Sequence, residues 1–167
     1  MDPDAYLCQL AEIFNGISVN TPSLSAIIAI ILAGLLLLAS GFASASEIAF
    51  FSLSPSDLND IEEGNHPSDG KISNLLADSE RLLATILITN NFVNVTIIML
   101  CNFFFMNVFV FHSPLAEFLI LTVILTFLLL LFGEIMPKIY SAQKTLAFCR
   151  FSAPVIYVLR KVFEIGR

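Results

Sequence analysis

Charge is scarce in this 167-residue chain: Asp, Glu, Lys and Arg together make up 13% of it. No Lys or Arg precedes Lys71, and no basic patch interleaved with aromatic rings is present. The footprint of a nucleic-acid binder is therefore missing. Cysteine is equally sparse. Cys8, Cys101 and Cys149 fall in different segments without paired spacing, which excludes a disulfide framework and a zinc site and leaves them as small apolar fillers. The two histidines, His66 and His112, lie in polar connections. No HExxH, no GxSxG and no paired aspartates occur in the apolar runs, so the chain lacks a recognisable catalytic apparatus and is read as not an enzyme. The N-terminus also lacks the basic stretch of a signal peptide, so the first apolar run is expected to remain in the mature protein.

What is abundant is apolar sequence. The hydrophobic fraction is 57% and the mean hydropathy +0.86, far beyond a soluble domain. The expected fold is an all-α integral membrane protein with three transmembrane helices, the third interrupted, plus juxtamembrane amphipathic helices. The runs are Leu24 to Phe51, Leu82 to Phe111, and Leu115 to Phe132, the last continuing to Pro137. A span needs about 20 residues, so the first two must tilt, kink or project beyond the bilayer. Residues 1–23 form a short extracytoplasmic or interfacial segment, and 24–167 form the membrane domain.

The polar segment 52–81 carries seven of the 14 acids. Within it Ser54-Pro55-Ser56-Asp57 is a helix start, Gly64-Asn65-His66-Pro67 is a breaker, and Lys71 to Ala84 is expected to run helically into the second span. His112-Ser113-Pro114 is a tight turn that makes spans two and three an antiparallel hairpin. After Lys138, Lys144, Arg150, Arg160, Lys161 and Arg167 alternate with apolar residues, and Pro154 divides the stretch into two amphipathic pieces. Such helices lie on a membrane surface; the alternative is a fourth span. With three spans, both basic regions share one side, and the positive-inside rule makes it the cytoplasm. The N-terminus, with Asp2, Asp4 and Glu12, is then outside. The expected location is the inner (cytoplasmic) membrane.

One motif concentrates chemistry. Gly133-Glu134-Ile135-Met136-Pro137-Lys138 follows directly on the third apolar run. Proline has no N–H, so the Gly133 carbonyl four residues back loses its helical partner. A free backbone oxygen beside a carboxylate, at membrane depth, must face protein or a water-filled cavity. That is the chemistry of a cation site.

The other spans bear further oxygens. Ser40, Ser44 and Glu47 are spaced four and three, on one helical face, next to the small pair Gly41 and Ala45, which permits close approach of another helix. The alternative is that the serines bond back to their own helix, and Glu47 either needs a partner or caps an adjoining helix. Asn90, Asn91 and Asn94 interrupt the second span, Asn90 and Asn94 on one face. Interhelical glue is the bland alternative for them. All of these groups present hard oxygen, which selects Mg2+, Ca2+ or Na+ over zinc or copper.

Ser40-Gly-Phe-Ala-Ser44-Ala-Ser46-Glu47, Asn90-Asn91-Phe-Val-Asn94 and Gly133-Glu134-Ile-Met-Pro137-Lys138 stand in this order on three spans. In these motifs, from roughly Leu24 to Phe163, the chain resembles the transmembrane domain of the CorC/CNNM magnesium transporter family, also called DUF21. The opening Met1-Asp2-Pro3-Asp4 and the run Phe50 to Asp57 resemble its gliding-motility-associated branch in Bacteroidetes. The resemblance implies a homodimer that binds dehydrated Mg2+ among its spans, with Na+ as a candidate exchange ion. The implied metal ligands are Ser40, Ser44, Asn90, Asn91, Asn94, the Gly133 carbonyl and Glu134, without fixing which asparagine binds directly. ATP would act only through paired CBS domains, which members usually carry downstream and this chain lacks. A competing expectation is a membrane scaffold, serving gliding machinery, in which the polar residues act only as glue.

Overall fold

The computed structural model describes residues 17–111 and 114–165. Cys8, the acids of residues 1–16 and the His112-Ser113 turn lie outside them. The architecture is all-α with three helices long and apolar enough to cross a membrane, a multi-pass membrane protein.

Helix α1, Leu24–Phe51, is opened by Ser23, whose Oγ accepts from the Ala26 N–H at 3.2 Å. At about 1.5 Å per residue, its 28 residues reach about 42 Å, more than the hydrocarbon thickness. Its buried positions are almost all small: Ala26, Ala29, Ala33, Ser40, Gly41, Ala43, Ser44, Ala45, Ser46 and Ala49. Small side chains let backbones approach where apolar burial gives no net drive against lipid. Hence α1 becomes the central helix, packed on the second span, on the later part of the third and on the last helix.

Two short helices follow. In α2, Pro55–Glu62, Ser54 and Asp57 form a complete capping box, which satisfies two of the orphan donors at the helix start. Gly64 turns the chain with φ +68°, a conformation that costs glycine nothing. Helix α3, Asp69–Leu76, then stops. The expected continuous run from Lys71 to Ala84 is thus split, because Asp78 caps a new helix by accepting from the Arg81 N–H at 3.3 Å. That helix, α4, spans Ser79–Val108.

The second span was expected to reach Phe111 but ends at Val108. Phe109–Phe111 forms strand β2, antiparallel to β1, Ile17–Val19, with Ile17 opposite Phe111 and Val19 opposite Phe109. Aromatic and β-branched residues favour strands, and the pairing satisfies backbone groups left by the helix end.

The third span is built from α5, Pro114–Leu128, a π-helical segment Leu129–Ile135, and α6, Met136–Gln143. The expected interruption is therefore a change of register, not a break. After it, α7, Thr145–Ile165, runs as one helix through Pro154, contrary to the expected division in two. Packing holds it together: Cys149, Ala153 and Ile156 are buried with Phe50, Ile72, Leu75 and Leu82 in one cluster. Burial pushes the Cys149 thiol up to about 12, so it behaves as an apolar filler.

An ion pair clamps this belt. Asp69, fully buried, accepts from Arg150 Nε at 2.8 Å and Nη2 at 3.1 Å, the bidentate geometry that makes charge-assisted pairs strong. The guanidinium holds the Asp69 carboxyl below the usual range. Because α3 packs on α7, the basic residues of segment 52–81 and those after Pro137 sit at one end of the spans. A second cluster, Ala33, Ile97, Cys101 and Leu125, fills the spans' interior. Outward-facing Ile28, Leu38, Phe92, Met99, Val123 and Phe127 are exposed, as a lipid-facing surface requires.

Candidate functional site

The three polar motifs meet where α1 crosses α4 and the π-helical segment. Ser40, fully buried, has its Oγ 2.8 Å from Asn90 Oδ1 and 2.6 Å from Asn94 Oδ1. Asn90 is buried and Asn94 half-buried. Their four-residue spacing puts both amides on the α4 face that meets α1.

These distances carry a hydrogen-bond deficit. A hydroxyl has one proton, so it can donate to only one of the two carbonyl oxygens. The second short oxygen contact is relieved when one amide turns to present its NH2, or when positive charge sits among the oxygens. One turn of helix further, Ser44 is fully buried and its Oγ has no hydrogen-bond partner. Ser46, by contrast, does what membrane serines commonly do and donates to its own helix at Phe42 O, 2.7 Å away,. The three serines of this stretch thus behave differently: one bonds across helices, one bonds back, and one bonds to nothing.

Gly133 is buried against Ser40. A Cβ there would stand 3.3 Å from Ser40 Oγ, so the backbone of the third span reaches the same point as the two asparagines. Gly41 provides the matching gap on α1: a Cβ on it would come within 2.9 Å of Pro137 Cγ and 3.3 Å of the Phe132 carbonyl oxygen. In the π register the Met136 N–H bonds Leu131 O. Phe132 O is thereby denied its four-residue partner, and its five-residue partner would be Pro137, which has no N–H. An oxygen beyond the expected Gly133 carbonyl is therefore released, facing Gly41. π-Helical insertions of this kind gather at functional sites.

Glu134 is half-buried and, among the described residues, forms no hydrogen bond or ion pair. Glu47 is instead paired, 3.2 Å from Lys138 Nζ, so it ties α1 to α6. Asn91 is exposed and is not brought to Ser40. Ser141 was not singled out from sequence; its Oγ donates to Ala45 O at 2.6 Å, fastening α6 to α1. Its signal was the small-residue pair Gly41 and Ala45, which marks where another helix comes close. Among the described residues no three His, Cys, Asp or Glu side chains cluster. Any ion held here would be held by neutral oxygens and at most one carboxylate.

Residues 30–165 match the family model of the cyclin M transmembrane N-terminal domain, most of the chain. The chain belongs to the CNNM transmembrane-domain family. A UPF0053 protein of Haemophilus influenzae is 32% identical over 127 residues, covering 76% of this chain and 29% of that relative. The CNNM domain of this chain thus corresponds to less than a third of the relative's length. Membership fits a transporter-type membrane domain.

Proposed function

We propose that this CNNM domain binds and conducts Mg2+, exporting it from the cytoplasm in exchange for Na+, and acts as a homodimer. The observation that carries the reading is the oxygen cluster without enough protons: Ser40, Asn90 and Asn94 within 2.8 Å, and Ser44 buried unpaired one turn away. Mg2+ sheds water reluctantly and demands short oxygen contacts in octahedral geometry. A set of preformed neutral oxygens with one carboxylate, Glu134, suits transient occupancy rather than tight retention. Of the oxygens expected from sequence, Ser40, Ser44, Asn90, Asn94, the Gly133 carbonyl and Glu134 are the proposed ligands. The exposed Asn91 is the weakest of that set.

In the inner membrane, the basic end of the bundle would face the cytoplasm by the positive-inside rule, with the N-terminus outside. ATP would regulate transport only through domains outside this sequence.

Purified protein titrated with Mg2+ tests the proposal. At a hundredfold excess over Kd, a ligand stabilises by about 2.7 kcal/mol, a rise of roughly 5–11 °C in Tm for a chain of this size. Glu134→Gln and Asn94→Ala are each expected to abolish that rise. If the polar residues are only helix glue, both variants lose the same stability with or without Mg2+, and the wild type shows no Mg2+-dependent shift.

A further inference from the structure

An apolar groove follows the line where α1 meets the third span and ends at the start of α7. Its inner part, about 350 Å³, is lined by Leu37, Leu38, Phe132 and Pro137, with the buried Gly41 and Ala45 at its base. Its outer part, about 260 Å³, is lined by Lys144, Ala147 and Phe151. Tyr140 and Phe148 border both parts, so the two are continuous. The depth comes from missing bulk, because Gly41 has no side chain and Pro137 packs directly on it. Aromatic rings build one flank: Phe42 lies 5.9 Å from Phe148 and 6.0 Å from Phe151, centre to centre.

Polar groups are confined to one end of this groove. Lys138 and Arg150 are taken by Glu47 and Asp69. Lys144, by contrast, is exposed, and among the described residues its ammonium forms no ion pair. Tyr140 is also exposed, and among the described residues its hydroxyl forms no hydrogen bond. At about 1.5 Å per residue, the stretch from Phe132 to Lys144 runs about 18 Å. That is close to the depth of one leaflet, half of a hydrocarbon core roughly 30 Å thick. Water does not settle in an apolar cavity, and an empty groove would forfeit dispersion contacts along its lining. A flexible hydrocarbon chain fills it.

We propose that this groove binds one anionic phospholipid, its acyl chain along Leu38 and Phe132 and its headgroup phosphate at Lys144 and the Tyr140 hydroxyl. The occupant is an amphiphile rather than a second copy of the chain, because an apolar length closed by a single free cation matches a tail followed by an anionic head. Lipid tails are as apolar as leucine, so the tail alone confers no selectivity and the choice of lipid falls to Lys144. One basic residue at the membrane surface gives about a fivefold preference for anionic lipid. The bound chain covers Gly41 and Pro137, and so supports from outside the crossing of α1 with the third span. The assignment does not depend on the cation-binding reading of the Ser40 cluster.

The chain has no tryptophan, so a single introduced one reports the lipid beside it. Phe132→Trp places the reporter in the groove, and Phe92→Trp, on the exposed face of α4 outside the groove, is the control. Each full chain is reconstituted in phosphatidylcholine vesicles, with brominated phosphatidylglycerol or brominated phosphatidylcholine as the quencher. At Phe132→Trp the brominated phosphatidylglycerol is expected to bind about fivefold more strongly than its phosphatidylcholine counterpart. That preference should be absent at Phe92→Trp and should vanish when Lys144→Gln is added to Phe132→Trp. Equal quenching by the two lipids at Phe132→Trp would overturn the headgroup site. So would a preference that survives Lys144→Gln or appears to the same extent at Phe92→Trp. Quenching by neither lipid at Phe132→Trp, beside normal quenching at Phe92→Trp, would overturn lipid occupancy and leave a second copy of the chain as what fills the groove.

Discussion

Replacing Ser44 by alanine separates a cation site from helix glue through the sign of its effect. The Ser44 hydroxyl is buried and bonded to nothing, and leaving a buried polar group unsatisfied costs about 1–3 kcal/mol. Without metal, Ser44→Ala removes that cost and only one small atom of packing. The variant is expected to be as stable as the wild type or up to about 3 kcal/mol more stable, which is up to roughly 12 °C in Tm. With saturating Mg2+ the order reverses, because the wild type gains a ligand oxygen that the variant lacks. Each 1.4 kcal/mol lost from the site weakens binding about tenfold.

The assay is thermal unfolding of both proteins in detergent, in EDTA and across a Mg2+ series, with Ser46→Ala as control. Ser46 already bonds Phe42 O, so its substitution should shift both conditions alike. Crossing curves for Ser44→Ala are the expected result. If the variant is less stable in EDTA and keeps the full Mg2+ increment, the hydroxyl is packing and not a ligand.

Gly41→Ala places a methyl 2.9 Å from the Pro137 ring, and overpacking of this kind costs about 1–3 kcal/mol; Tm should fall by roughly 2–12 °C. Gly34→Ala, with nothing within 4 Å of its added atom, should leave Tm near wild type, and equal effects at both glycines would refute the close approach of α1 to the third span. At the belt, the Asp69 carboxyl is held below its usual range by the Arg150 guanidinium, so its contribution is present above about pH 4 and lost as pH falls through the lowered folded value. Asp69→Asn should lower Tm at pH 7 and flatten the acid limb between pH 5 and 2, whereas parallel wild-type and variant profiles would show that the pair adds nothing pH-dependent.

The sequence made legible whatever local chemistry decides. Long apolar runs announced the three spans, Ser54 to Asp57 announced a helix start, and the four-residue step from Asn90 to Asn94 announced a shared face. It did not reveal features that depend on distant partners. The Phe109–Phe111 strand exists because Ile17–Val19 pairs with it across more than 80 residues of chain, and an apolar triplet reads equally well as the end of a span. Pro154 should divide a helix by its own chemistry, but burial of Cys149, Ala153 and Ile156 on a common core overrides it. Lys71 to Ala84 looked continuous because Asp78 is a helix cap only when the chain turns there. Ser40 and Ser44 shared one face and one reading until α4 supplied two amides to the first and nothing to the second.

The third span shows how one proline can matter more than its own missing bond. In an α register, Pro137 would deprive only Gly133 of a partner. The π segment ahead of it shifts the pairing by one residue, so that Met136 serves Leu131 and Pro137 stands where Phe132 would seek its donor. Phe132 therefore finds no N–H at Pro137. Gly41 on α1 leaves room for that carbonyl, and Gly133 leaves room for Ser40. Side chains at either glycine would separate α1 from the third span and so dissolve the cluster of oxygens. The arrangement therefore depends on two absent side chains and one absent N–H as much as on any group that is present.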